Sequence, residues 1–155
     1  MTYEIIEIYH HITDEIKNEI IDLWINNQAL SKIEALNRIN CAICAIVHIP
    51  SGKIIGVSTA KINFLPKTND IYYYYGMFVD KEHRGGVGIN WRIKTSIIEK
   101  TFNILKKQNN KYVKGLAAIL ENKKIPNKFL QRYGWIPLND EQIEFNLLFK
   151  DFDLN

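Results

Sequence analysis

The segment Met77-Phe-Val-Asp-Lys-Glu-His-Arg-Gly-Gly-Val-Gly-Ile89 constrains this chain more than any other. It closes a β-rich run, Ile71–Val79, passes through three glycines, and opens a long helical pattern from about Ile89 to Lys107. On that helix Ile93, Ile97, Ile98, Phe102 and Leu105 share one face. Glycines at such a turn accept positive φ and let backbone amides come close to a ligand. The first turn of a helix carries unpaired N–H groups and a partial positive charge. Together these make an anion site of the kind that holds phosphates, and Arg84 adds a fixed cation suited to phosphate oxygens. The plain alternative is a tight turn in which the glycines only relieve crowding. Other phosphate loops fit less well. The Gly-Lys-Ser/Thr of the P-loop is absent, as is the Gly-x-Gly-x-x-Gly dinucleotide fingerprint in an early βαβ unit. The kinase glycine loop sits in a hairpin rather than opening a helix.

The flanking sequence reads as one mixed α/β domain spanning residues 1–155. Tyr3–Tyr9 is a strand. Thr13 caps a helix with Ile16, Ile20, Ile21 and Trp24 at helical spacing, and Ser31 with Glu34 forms a capping box for a short second helix through about Ile39. Cys41–Ile49 and Lys53–Phe64 are strands joined by the hairpin turn Pro50-Ser-Gly52. After the central helix come a strand Tyr112–Leu120, a short helix Pro126–Tyr133 ended by Gly134, and strands Ile136–Leu138 and Gln142–Lys150. The predicted order is β-α-α-β-β-β-α-β-α-β-β, a mixed α/β (α+β) sheet of six to seven strands flanked by helices. Glu141–Lys150 could serve as an edge strand that pairs across subunits.

At 155 residues, with 46% hydrophobic and 24% charged, the chain is long enough to bury a core unaided. No apolar run reaches the roughly 20 residues that span a bilayer, and the N-terminus does not read as a signal peptide, so a cytoplasmic location is expected. A net charge of +3 suits an anionic ligand without requiring nucleic acid. Cys41 and Cys44 fall on one strand three residues apart, which points their thiols to opposite faces, and no second pair exists to complete a zinc site. Both are read as structural. His10-His11 reads as a turn, and no metal is expected.

The loop resembles motif A of the GCN5-related N-acetyltransferases (GNAT), in which a strand ends in Val and Arg/Gln-x-x-Gly-x-Gly/Ala opens a long helix. Val79, the four residues after it and Arg84 match that spacing. Counting from Arg84, Val87 and Ile89 stand where glycine or alanine is usual; counting from His83, Gly86 and Gly88 fit and the basic position becomes histidine. Residues 122–135, ending Gly134-Trp135, resemble motif B, and the element order matches the family fold along the whole chain.

The resemblance implies an acetyl transfer from acetyl-CoA to a primary amine of a small molecule or peptide by direct attack. The cofactor would lie between two splayed central strands. The backbone at Phe78 and Val79 would hold the pantetheine, Arg84 and the amides of Gly85, Gly86, Val87, Gly88 and Ile89 the pyrophosphate, and Asn122 or Asn127 the pantetheine arm. Two family positions differ: Tyr73 replaces a frequent glutamate, and Leu130 a frequent tyrosine. An amine of pKa about 10 needs a base. Tyr73 or Tyr75, relaying through water, and Glu121 are the candidates, or the amine arrives deprotonated. Tyr72 and Tyr74 share one strand face, Tyr73 and Tyr75 the other, either as core or as lining for a cationic substrate. The missing pair favours an alternative, a catalytically weak acyl-CoA-binding or regulatory domain. A nucleic-acid module would need a clustered basic face, which is not evident. No nucleic-acid or membrane partner is expected, and a homodimer follows only by family analogy.

Overall fold

The computed structural model describes residues 2–85, 90–120, 131–138 and 146–153. Its strands are β1 (Tyr3–Glu7), β2 (Ala42–His48), β3 (Lys53–Leu65), β4 (Asp70–Val79), β5 (Gly115–Leu120), β6 (Ile136–Leu138) and β7 (Asn146–Asp151). They form a mixed sheet in the order β1-β2-β3-β4-β5-β7-β6. The helices are α1 (Asp14–Asn26), α2 (Lys32–Arg38) and α3 (Trp91–Lys107). The chain divides into two compact units, residues 1–60 with 77–105, and residues 61–76 with 106–155.

In the first unit the helix starts follow local chemistry. Thr13 Oγ1 accepts from the Ile16 N–H, and Ser31 and Glu34 form the reciprocal capping box. Helix α1 is rich in isoleucine and asparagine, which cost a few tenths of a kcal/mol each against alanine. Burial outweighs that. Ile20, Ile21, Leu23 and Trp24 pack with Ile8, Ala35, Ile39, Ala45, Ile54 and Val57, each large side chain contributing about 2 kcal/mol. Strand β2 is buried over Ala42–Ile46, as its unbroken apolar run requires. Ser58, on the strand face opposite Val57, lies 2.8 Å from Thr101 Oγ1 of α3, and Thr101 in turn donates to the Ile97 carbonyl. Gly52 closes the β2–β3 hairpin at φ 67°.

The second unit is built on Leu65, Tyr72, Ala117 and Leu147, with Tyr74 and Phe149 against them. Strand β5 runs parallel to β4 from Tyr72–Gly115 to Tyr75–Ala118, while β4 continues to Val79. Strand β7 pairs antiparallel with β5 over six residues and with β6 on its other side. The expectation of an edge strand at residues 141–150 is therefore corrected: among the described residues β7 is internal and β6 is the edge, and residues 141–145 lie outside the described residues. Two other boundaries move. Tyr112 belongs to a turn, because Asn109 adopts φ 52° and the Asn110 side chain accepts from the Tyr112 N–H, so β5 begins at Gly115. Cys41 closes a 3-10 turn (Ile39–Cys41) before β2 instead of lying in it.

Candidate functional site

The segment after β4 is fixed from several sides. The Asp80 N–H donates to the Ile55 carbonyl at 2.7 Å, and the Asp80 carboxylate accepts from the Glu82 N–H, capping a 3-10 turn at Lys81–His83. The Lys81 N–H donates to Asn27 Oδ1 at the end of α1. His83 Nδ1 lies 2.9 Å from the Tyr3 hydroxyl, and its ring stands 4.8 Å from that of His48. His48 Nδ1 in turn lies 2.8 Å from Ser51 Oγ.

Arg84 comes next, folded back onto the strand end. Its Nε donates to the Val79 carbonyl at 2.6 Å and its guanidinium sits 4.9 Å over the Phe78 ring. No carboxylate pairs with it among the described residues, so the other donors of its planar fork remain for an anion. Gly85 has φ 69°, where only glycine is unstrained, and a Cβ built there would meet nothing within 4 Å. Gly85 thus has open space beside it, next to a held cation.

Helix α3 begins at Trp91, later than the expected Ile89. The reason is Asn90. Its Oδ1 accepts from the N–H groups of Arg92 (3.0 Å) and Ile93 (3.3 Å), so the helix supplies its own cap. Those two amides are therefore satisfied within the helix itself. Gly86, Val87, Gly88 and Ile89 lie outside the described residues, as do Glu121, Asn122 and Asn127. Of the helix expected at Pro126–Tyr133, positions 126–130 also lie outside; Gly134 has φ 89°, as a helix-ending glycine should.

The tyrosine run divides as its alternation predicts. Tyr72 is core, and its hydroxyl donates to Asp151 at 2.5 Å; burial, with that carboxylate, holds its ionisation well above the ordinary phenol range. Tyr74 packs on the same cluster and donates to the Phe64 carbonyl. On the opposite face Tyr73 lies against Phe152, ring centroids 6.2 Å apart, and its hydroxyl bonds no described residue. Tyr3, Asn27 and His48 were not legible as part of the loop's surroundings, since they stand 35 to 80 residues away in the chain. Asn90 was missed by the expected start at Ile89, although an asparagine just before a helical pattern is a capping signal.

A mixed seven-stranded sheet with this element order, and a glycine loop between β4 and a long helix, is the GNAT fold. No family model matches the sequence, and no curated protein matches it either. Solved structures do. The GNAT domain of S. lividans PAT superposes with a TM-score of 0.62 at 12% identity, covering 96% of this chain and 90% of that one. A ribosomal-protein-S5-alanine acetyltransferase from Vibrio fischeri gives 0.56 at 19% identity, covering 99% and 94%. A GNAT-family acetyltransferase from Streptococcus pneumoniae gives 0.57 at 13%, covering 96% and 98%. At these identities the likeness is one of fold.

Proposed function

We propose that residues 1–155 act as one N-acetyltransferase domain, moving an acetyl group from acetyl-CoA to a primary amine of a small molecule or peptide. The observation that carries this reading is Arg84, a cation without a carboxylate partner among the described residues, held between the end of β4 and the glycine loop. The residues present fit a diphosphate: a fixed guanidinium, a left-handed glycine with open space beside it, and a helix start close behind. Solved acetyltransferases of the same fold support the choice of cofactor.

Acetyl-CoA supplies an acyl group already activated as a thioester. Attack by the amine would form the amide and break the C–S bond, with CoA leaving as a thiolate that takes a proton from solvent, so the chain would have to bind, orient and accept the amine's proton. Arg84 with the loop of Gly85, Gly86, Val87, Gly88 and Ile89 would anchor the pyrophosphate. The backbone of Phe78 and Val79, where β4 runs past its ladder with β5, would align the pantetheine; Asn122 or Asn127 would steady the arm. Holding both reactants in one geometry supplies much of the rate. Tyr73, whose hydroxyl bonds no described residue, would pass the amine proton to water, with Glu121 as the other candidate base.

Calorimetry with CoA and a thiol-release assay over an amine panel test this. Arg84→Ala should weaken CoA binding about tenfold or more, the loss of a charge-assisted contact of about 1.5–3 kcal/mol. Tyr73→Phe should lower kcat and leave CoA affinity unchanged. CoA binding without turnover on any amine would favour the regulatory alternative, and no CoA binding by the unsubstituted protein would overturn both.

A further inference from the structure

In the first unit, at the end of β1 away from the glycine loop, the chain frames a half-open cavity of about 290 Å³. Its origin is local. The N–H groups of both Ile8 and Tyr9 donate to the Ile43 carbonyl, which ends the ladder with β2. His10 then adopts φ 62°, a left-handed backbone that histidine tolerates only at a cost, and its ring lies 3.9 Å from that of Tyr9. The strand swings away toward α1, and the 3-10 turn before β2 forms the opposite wall. Ile8, Ile39 and Ala42 make an apolar floor, each less than a tenth exposed. Tyr9, Ile12, Lys17, His10 and Asn40 line the remainder, with His10 and Asn40 exposed at the rim. Among the described residues none of the Lys17, His10 and Asn40 side chains has a hydrogen bond or ion pair, and Asp14, one helical turn before Lys17, does not pair with it. An apolar floor with a few polar groups around it is the pattern of a small-molecule site. Every polar group here can donate to an anion, and none of the three is acidic.

We infer that this corner binds a small aliphatic carboxylate, with the hydrocarbon on Ile8, Ile39 and Ala42 and the carboxylate on Lys17, assisted by Asn40 and His10. The cavity lies near the lower end of small-molecule pockets, about 300 Å³, which suits a chain of about six to eight carbons rather than a long fatty acid. Lys17 is half-exposed, so the ion pair is a modest part of the affinity and selects charge, while the floor selects an apolar tail. The site is separate from the anion loop and does not depend on the acetyltransferase reading.

Titration of the ¹⁵N-labelled protein with octanoate, octanamide and octylamine, followed by amide shifts, tests the inference. Octanoate should saturate one site and move the amides of Ile8, Lys17, Ile39 and Ala42. Octanamide should bind about fivefold more weakly, and octylamine more weakly still. Lys17→Gln should weaken octanoate about fivefold and leave octanamide unchanged; Lys17→Arg should retain octanoate binding. Thermal melts of both variants report whether the fold is intact. CoA added at saturation should neither displace octanoate nor differ in affinity between Lys17→Gln and the unsubstituted protein, so failure here and failure at the loop are read separately. Equal binding of all three amphiphiles, shifts confined to other surfaces, or octanoate affinity unchanged in Lys17→Gln would overturn it.

Discussion

Single side chains in this protein carry consequences that can be measured one at a time. Tyr72 is buried and donates to Asp151. Burial and that carboxylate raise its pKa above the ordinary phenol value of 10.0, so the folded state holds the proton more tightly than the unfolded chain. Its contribution is complete below about pH 10 and falls away as pH climbs further. Tyr72→Phe should cost about 1 kcal/mol at neutral pH and flatten the loss of stability on the alkaline side, both read from urea midpoints across pH. The two thiols should differ in the same direct way. Cys44 is fully buried and its pKa is pushed up by burial, whereas Cys41 is partly exposed at the end of its turn. A thiol reagent at mild alkaline pH should label Cys41 in the native protein and Cys44 only on unfolding.

Elements here depend on a few positions that propensity alone would underrate. Helix α2 has seven residues, too few to stand without its capping box and its packing. Ser31→Ala should remove about 1 kcal/mol, seen as a lower urea midpoint with an unchanged slope. Strand β5 begins at Gly115, where an added Cβ would collide with the Lys150 carbonyl and the Asp151 backbone of β7. Backbone cannot rotate aside as a flexible side chain can. Gly115→Ala should therefore cost several times more than the roughly 1 kcal/mol of a strained turn glycine such as Gly52, where a Cβ meets nothing. Denaturant titration of the two variants side by side measures the ratio.

Across the whole molecule, the described helices include none long and apolar enough to cross a membrane. The mixed sheet gives the chain a GNAT fold although its identities to solved structures of that fold are only 8–19%. A fold can persist at that distance because burial patterns and connection order are easier to keep than particular residues. On the acetyl-CoA reading, a ligand that binds only the folded chain must raise its stability. Free CoA at a hundred times its Kd should add about 2.7 kcal/mol, visible as a concentration-dependent rise in Tm. The same rise should shrink in Arg84→Ala, while the melting temperature without CoA stays close to that of the unsubstituted protein.

Sequence by itself determined what local chemistry controls: the caps at Thr13 and Ser31, the apolar faces of α1 and α3, the Gly52 hairpin and the strand-glycine-helix passage. These features depend on neighbours within about four residues, so spacing alone reveals them. Tertiary structure decided what depends on distant partners. It placed β7 inside the sheet, because β5 and β6 each offered it a ladder that no local pattern encodes. It folded Arg84 back onto Phe78 and Val79, set His83 beside Tyr3 and His48, and opened a cavity where β1 leaves β2. Except for Arg84, whose partners lie five and six positions back, these residues are far apart in the chain and meet only because the sheet and its packed helices bring them there.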